Sequence, residues 1–194
     1  MKRLPEVEPP IVPHIPSLNM NSLLTITLFW LLSGTTAQNY KNVALRGRAT
    51  QSSVLFIPEW GYLAGAINAI DGNVDPDYKH GSCSSTNNDD SAWWKVDLLE
   101  PHKISHIIIT NRGDCCGERI NGALILVGNL PENNGNNNPR CAEIKDMSTG
   151  STQTFRCYGM IGQYINIILP GKRVHLQLCE VQIFGVPVNS STNC

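Results

Sequence analysis

The chain has 194 residues, with 15 Lys and Arg against 16 Asp and Glu, and charged residues make up only 16% of it. That balance excludes a nucleic-acid binder, which needs a basic stripe to neutralise phosphates. With 41% hydrophobic residues, 16 Gly and 12 Pro, the composition is neither disordered nor collagenous and leaves room for one core.

Residues 23–32 (LLTITLFWLL) form an uncharged stretch too short to span a bilayer, which takes about 20 apolar residues. The small residues Thr35 and Ala37 that follow have the pattern of a signal-peptidase site. Residues 1–37 are therefore expected to be an N-terminal extension and cleaved signal peptide, within which Met20 would itself start a well-proportioned signal. The mature chain is expected to begin near Gln38. Its charge balance is unchanged, because the removed part carries Lys2 and Arg3 against Glu6 and Glu8. No second apolar span follows, so the expectation is a secreted, extracellular protein with its domain over 38–188 and a short tail over 189–194. In the tail, Asn189-Ser190-Ser191 is an acceptor for N-glycosylation.

Along the mature chain, a helical turn is expected only around Ala64 to Ile70. From Lys103 onward come short runs rich in Ile, Val and aromatics: Ile104 to Thr110, Ala123 to Val127, Tyr164 to Leu169, Val174 to Leu178 and Val181 to Phe184. Gly, Pro and Asn clusters such as Asn133 to Pro139 and Pro170-Gly171 separate them. Val174, Leu176 and Leu178 alternate with His175 and Gln177, the period of a half-buried strand. The fold class expected is all-β, an antiparallel β-sandwich.

No catalytic signature stands out. There is no His-Glu-x-x-His, Gly-x-Ser-x-Gly, Cys-x-x-Cys or phosphate-cradling loop, and His80, His102, His106 and His175 form no cluster in sequence. The expectation is that the protein is not an enzyme. Asp71-Gly72-Asn73-Val74-Asp75-Pro76-Asp77 starts like an EF-hand loop but has Pro76 where that loop needs Gly and Ser82 where it needs Glu.

Seven cysteines leave one over if the rest pair, and many connectivities are open. A bridge between the adjacent Cys115 and Cys116 would hold its Cα atoms about 3.8 Å apart and close almost no chain loop. It would contribute little stability. It would instead form a small apolar plate inside a polar loop.

The segment Asn111-Arg112-Gly113-Asp114-Cys115-Cys116-Gly117-Glu118-Arg119 resembles the sugar-binding motif of the F-type lectins, or fucolectins. In that family Arg, Gly, Asp, two cysteines, two further residues and a second Arg follow an upstream His. Further stretches agree with the family: Asn42-Val43-Ala44, Ala49-Thr50-Gln51-Ser52, Asn68 to Asn73, His80-Gly81-Ser82-Cys83, Trp93 to Leu98, and Leu178-Cys179-Glu180-Val181. The resemblance spans about Asn42 to Phe184. It implies a discoidin-like (F5/8 C-type) jelly roll with its sites in loops at one end. It also implies the pairs Cys115 with Cys116, Cys83 with Cys179 and Cys141 with Cys157, leaving Cys194 free for an intermolecular bridge in a homo-oligomer.

The function implied is a lectin for terminal L-fucose on glycans, acting in innate recognition or agglutination, and the alternative is a non-sugar-binding adhesion module on the same fold. Arg112 and Arg119 would supply directed donors, since a guanidinium holds its N–H groups in a rigid, permanently charged fork. The Cys115–Cys116 plate would take the apolar face of a deoxy sugar. Leu55, Trp60 and Tyr78 would rim the pocket, and Asp114 would orient an arginine. The alternative for the two arginines is surface pairing with Asp114 and Glu118. Ser85 stands where the family has its sugar-binding His. A lost donor there costs about 1–3 kcal/mol, roughly a five- to 150-fold weakening or a change of sugar. The resemblance further implies a structural Ca2+ held by Asn68, Asp71, Asn73, Ser82, Cys179 and Glu180, a donor set of the hard oxygens calcium accepts.

Overall fold

A computed structural model describes residues 40–59, 61 and 63–188. The expected leader over 1–37, Trp60, Asn189 and Cys194 lie outside the described residues. The strands in chain order are β1 (Lys41–Asn42), β2 (Arg48–Gln51), β3 (Ser84–Ser85), β4 (Asp89–Asp90), β5 (Trp93–Thr110), β6 (Leu124–Gly128), β7 (Arg140–Glu143), β8 (Thr152–Ile168), β9 (Arg173–Val174), β10 (Gln177–Leu178) and β11 (Glu180–Pro187).

Two strands build the sandwich. β5 and β8, of 18 and 17 residues, pair antiparallel along most of their length and bend, so each serves both layers. The first half of β5 lies between β2 and the end of β8, which continues to β6 and β7. Its second half lies between β11 and the start of β8, with β1 at the edge. The corner falls between Asp97 and His102, where the register shifts and Leu99 turns left-handed at φ 71°. Alternation sends Trp94, Val96 and Leu98 inward from one half and Ile107 and Ile109 from the other, against Ile165, Ile167, Val181 and Ile183. These residues form one continuous apolar core. The architecture is the all-β antiparallel sandwich expected.

Helical structure among the described residues is limited to 3-10 turns, five in number rather than the single turn expected. The turn Ala66–Ile70 falls on the expected stretch; it buries Ala69 and Ile70, and its Ala66 carbonyl accepts a 3.0 Å bond from the Trp94 indole. The segment Val174 to Leu178 departs from the expectation. It is not one alternating strand but the ends of β9 and β10, which pair with different partners, β4 and β3. Thr86 enforces the break, its carbonyl meeting His175 Nδ1 at 2.8 Å and its hydroxyl accepting from the Leu176 N–H at 3.0 Å. Gln177, expected to face outward, is buried, and His175 lies outside any strand.

All three implied disulfides are present: Cys83–Cys179, Cys115–Cys116 and Cys141–Cys157. Bridges over sequence separations of 96 and 16 are worth roughly 4–5 and 3 kcal/mol on the chain-entropy account.

Candidate functional site

β5 ends at Thr110 and delivers the next residue, Asn111, into the interior. Its amide donates to the carbonyls of Gly117, Met147 and Ser148, so one side chain folds the loop 111–117 over and pins it to a neighbouring loop. Close backbone approach does the rest. A Cβ on Gly117 would lie 2.5 Å from Thr149 atoms, and one on Gly113 would lie 2.8 Å from Pro76. Glycine is required at both for that reason.

Arg112 leaves this loop almost completely buried and is gripped from two directions. Its Nε and Nη2 each donate to an oxygen of Asp114 at 2.7 Å, and its guanidinium carbon lies 4.4 Å from the centroid of the Tyr78 ring. The pair is charge-assisted and bidentate, the strongest geometry open to these groups. The Arg112 guanidinium, together with the Tyr78 N–H, holds the Asp114 carboxyl down at about 2, against the opposing effect of burial. Of five guanidinium donors two are engaged by Asp114, which leaves three in a fixed direction.

Arg119 sits half-buried in the turn Gly117–Ile120, immediately after the Cys115–Cys116 plate, and makes no ion pair among the described residues. Arg112 thus pairs with Asp114, but as a buried and not a surface arginine, and Arg119 does not pair with Glu118.

Tyr78 is not at a rim. It is 1% exposed and forms a small second core with Ala64, Cys83 and Cys179, on which Leu55 packs half-buried. Burial pushes its hydroxyl up from the usual tyrosine range. Its ring supports Arg112 from within rather than covering a ligand. Ser85 is also displaced from the expected role. It is fully buried in β3 opposite Gln177, donates to the Thr86 carbonyl at 3.2 Å and accepts from Gln177 Nε2 at 3.3 Å. A hydroxyl so enclosed cannot also reach a sugar.

Sequence reasoning passed over three residues that assemble the site. Pro76 offers one carbonyl to the Gly113 N–H at 2.7 Å and lies against both sulfurs of Cys83–Cys179, joining the 71–82 loop to the arginine loop. Its only sequence signal was that it broke the EF-hand pattern. Asn111 heads the lectin-like segment and Gln177 belongs to the alternating stretch, but nothing in the sequence marks either as a buried amide.

Separate links tie together five of the six residues expected to hold a metal, while Asn73 is joined locally, its N–H donating to Asp71 Oδ1 at 2.8 Å and its Oδ1 accepting from the Asp75 N–H at 3.1 Å. Asn68 donates to the carbonyls of Gly81 and Cys83, on either side of Ser82; Cys83 is bonded to Cys179; and Glu180 follows, with Asp71 close enough to disfavour its charge. Glu180 has no exposed surface and neither of its carboxylate oxygens reaches hydrogen-bond geometry with a donor. Burial, reinforced by Asp71 and eased only by the Gly72 N–H, pushes it up to about 7. Two carboxylates without a base between them would be neutralised by a bound cation. Among the described residues no three His, Cys, Asp or Glu side chains converge, so a cation here would take carbonyl and hydroxyl oxygens as well, the donor set of a hard ion.

The family model described as "NedA-like, galactose-binding domain" matches residues 68–167. Fucolectin-4 of Anguilla japonica is 56% identical over 77% of this chain and 83% of its own length, and the fucolectin of Anguilla anguilla is 49% identical over 74% and 90%. The fold is similar to that of an F-lectin from striped bass (Morone saxatilis) serum, with TM-score 0.75 and 44% identity over 79% of this chain. This chain covers about half, 51%, of that one. A fucose-binding module of Streptococcus pneumoniae matches with TM-score 0.65 at 27% identity, over 76% of this chain and 96% of the module. With this identity over most of its length and the same discoidin-like sandwich, the chain belongs to the fucolectin family, a family of lectins and not of enzymes.

Proposed function

We propose that this protein is a secreted, calcium-stabilised lectin that recognises terminal L-fucose on glycans. The observation that carries the reading is the rigid presentation of Arg112, clamped by Asp114 and stacked on Tyr78, three residues before Cys115 of the Cys115–Cys116 plate. Fixed donors beside an apolar surface match a deoxy sugar, which offers hydroxyls on one side and a methyl and C–H face on the other. Arg119, with no internal ion pair, supplies a second set of donors. Relatives named fucolectins and a fucose-binding module of the same fold support the sugar class.

Calcium is assigned to the oxygens of Asn68, Asp71, Asn73, Ser82, Cys179 and Glu180. The buried, unpartnered Glu180 carboxylate supports it. The ion would neutralise Glu180 and Asp71 and hold the 71–82 loop, hence Pro76 and Tyr78, under the arginine loop. Single-site lectin binding is weak, so assembly into a homo-oligomer would raise avidity, with Cys194 available for a bridge and recognition of fucosylated surfaces in innate defence as the role.

A second reading is a protein-adhesion module on the same fold, favoured by the burial of Ser85, which removes one donor position from the site. Calorimetric titration of the mature chain from Gln38 with L-fucose in calcium, beside Arg112→Ala and Ser85→His, separates the two. Binding that is abolished by the arginine change supports the lectin. Absence of binding in both the native and Ser85→His proteins, folded and calcium-loaded, supports the adhesion module.

A further inference from the structure

The face of the sandwich formed by β5 and β8 carries a cleft of about 600 Å³ that contains none of the arginine-loop residues. Lys103, Ser105, Thr154, Arg156 and Tyr158 line it together with Tyr40, His106 and Gly159. Its lining includes two permanent cations and a histidine and no acid. Among the described residues neither Lys103 nor Arg156 makes an ion pair.

The cleft is a product of the backbone. Between the pairs Ile104↔Met160 and His106↔Arg156, the single residue Ser105 of β5 opposes three residues of β8, a bulge two residues longer on β8 than on β5. Two consecutive residues of that bulge are left-handed, Tyr158 at φ 52° and Gly159 at φ 82°. A non-glycine residue in that region is strained and persists only where its surroundings impose it. The consequence is a tyrosine ring standing 87% exposed above the sheet. Gly159 also leaves room for the Lys103 stem, which a Cβ would meet at 2.8 Å. Beside Lys103, the pairing register sets Phe184, His106 and Arg156 in one row across the three strands. The His106 ring stacks on Phe184 at 4.7 Å and meets Tyr40 edge-on at 6.4 Å, which fixes its orientation.

The geometry points to a second carbohydrate site here, for an acidic saccharide: Lys103 and Arg156 take a sulfate or carboxylate group, Ser105 and Thr154 take ring hydroxyls, and Tyr158 covers the C–H face of the sugar. Anion recognition by a guanidinium and an ammonium is strong because both hydrogen bonds are charge-assisted. The ring and the hydroxyls suit a saccharide rather than a bare anion or a lipid headgroup. His106 lies four residues before the end of β5, about 13 Å along the strand, and the cleft shares no residue with the arginine loop, so this inference does not rest on fucose recognition.

The test is titration of the mature protein with a heparin-derived tetrasaccharide, a hyaluronan-derived tetrasaccharide and neutral chitotetraose, with phosphatidylserine vesicles as a further arm. The expected result is binding of the heparin fragment that weakens as salt rises, with no binding of chitotetraose. Lys103→Gln combined with Arg156→Gln reduces the affinity at least tenfold and flattens the salt dependence. Tyr158→Ser reduces it several-fold with the salt dependence intact, and every variant keeps the native melting temperature and the native response to L-fucose. Binding of the hyaluronan fragment as well assigns the shared anionic chemistry, and binding of the heparin fragment alone assigns the sulfate ester. The inference is overturned if neither acidic fragment binds, if chitotetraose binds equally well, if the double variant keeps its affinity, or if only the vesicles bind.

Discussion

Arg112 and Asp114, two residues apart, are joined by two hydrogen bonds of 2.7 Å, and the carboxylate accepts a third from the Tyr78 N–H at 3.2 Å. Asp114 is thus the hinge pin between the arginine loop and the loop that precedes Cys83. It orients the donor and ties down the platform under it. Asp114→Asn keeps the shape but removes the charge and one acceptor, and is expected to weaken L-fucose binding about tenfold in calorimetry while Arg112→Ala abolishes it. Unchanged affinity in Asp114→Asn would show that Arg112 is held by its neighbours alone.

The same pair sets an acid limit. Asp114 titrates at about 2 in the folded protein against 3.8 ordinarily, so the unfolded chain takes up this proton first. Its contribution is complete above the ordinary value and is lost as pH falls through the folded one. The pair lies near the surface, where solvent screens it, so the shift is worth on the order of 1 kcal/mol. Denaturant melts between pH 5 and 2 are expected to show this loss in the native protein and its absence in Asp114→Asn.

Calcium removal gives a third expectation. At 100 times its dissociation constant a ligand that binds only the folded state adds about 2.7 kcal/mol, which for a domain of this size is about 5–10 °C in melting temperature. Chelation by EDTA is expected to lower the midpoint by that amount and to weaken fucose binding with it. Glu180→Gln is expected to melt near the chelated native protein and to respond little to added calcium. A native midpoint indifferent to EDTA would argue against the ion.

Two of the bridges are expected to behave differently on removal. Replacing Cys141 and Cys157 by Ser costs about 3 kcal/mol, since the bond closes a loop in the unfolded chain. Replacing Cys115 and Cys116 by Ser is expected to leave the melting temperature within about 2 °C, because that bond closes almost no loop. It is expected nonetheless to weaken L-fucose binding several-fold by removing the apolar plate.

The two arginines differ in what a lysine can replace. An ammonium can neither bind Asp114 bidentately nor stack flat on Tyr78. Arg112→Lys is therefore expected to lose binding and about 1–2 kcal/mol of stability. Arg119→Lys is expected to lose binding with stability unchanged, since no internal partner is given up.

Local chemistry made several features legible in sequence. The Ile- and Val-rich runs after Lys103 mark strands because period and β-propensity act within a few residues, and Ile104 to Thr110 falls inside β5 as expected. The vicinal cysteines and flanking arginines are contiguous, so their resemblance to a lectin motif needed no fold to be seen. The long-range pairings of Cys83 and Cys141 came with that resemblance and not from spacing.

What remained was decided by groups far apart in the chain. Ser85 reads as an open polar position, yet pairing of β3 with β10 buries it against Gln177, 92 residues away. Tyr78 reads as a loop aromatic at a rim, yet the Cys83–Cys179 bridge draws it into a second small core, where it becomes the platform of Arg112. The alternation of Val174 to Leu178 fails because Thr86 divides the segment between two partners. Composition and short-range pattern determine which segments become strands and which loop bears the chemistry. Whether a polar side chain faces a ligand or the interior depends on strand register and loop docking, which are set by contacts that no local window of sequence contains.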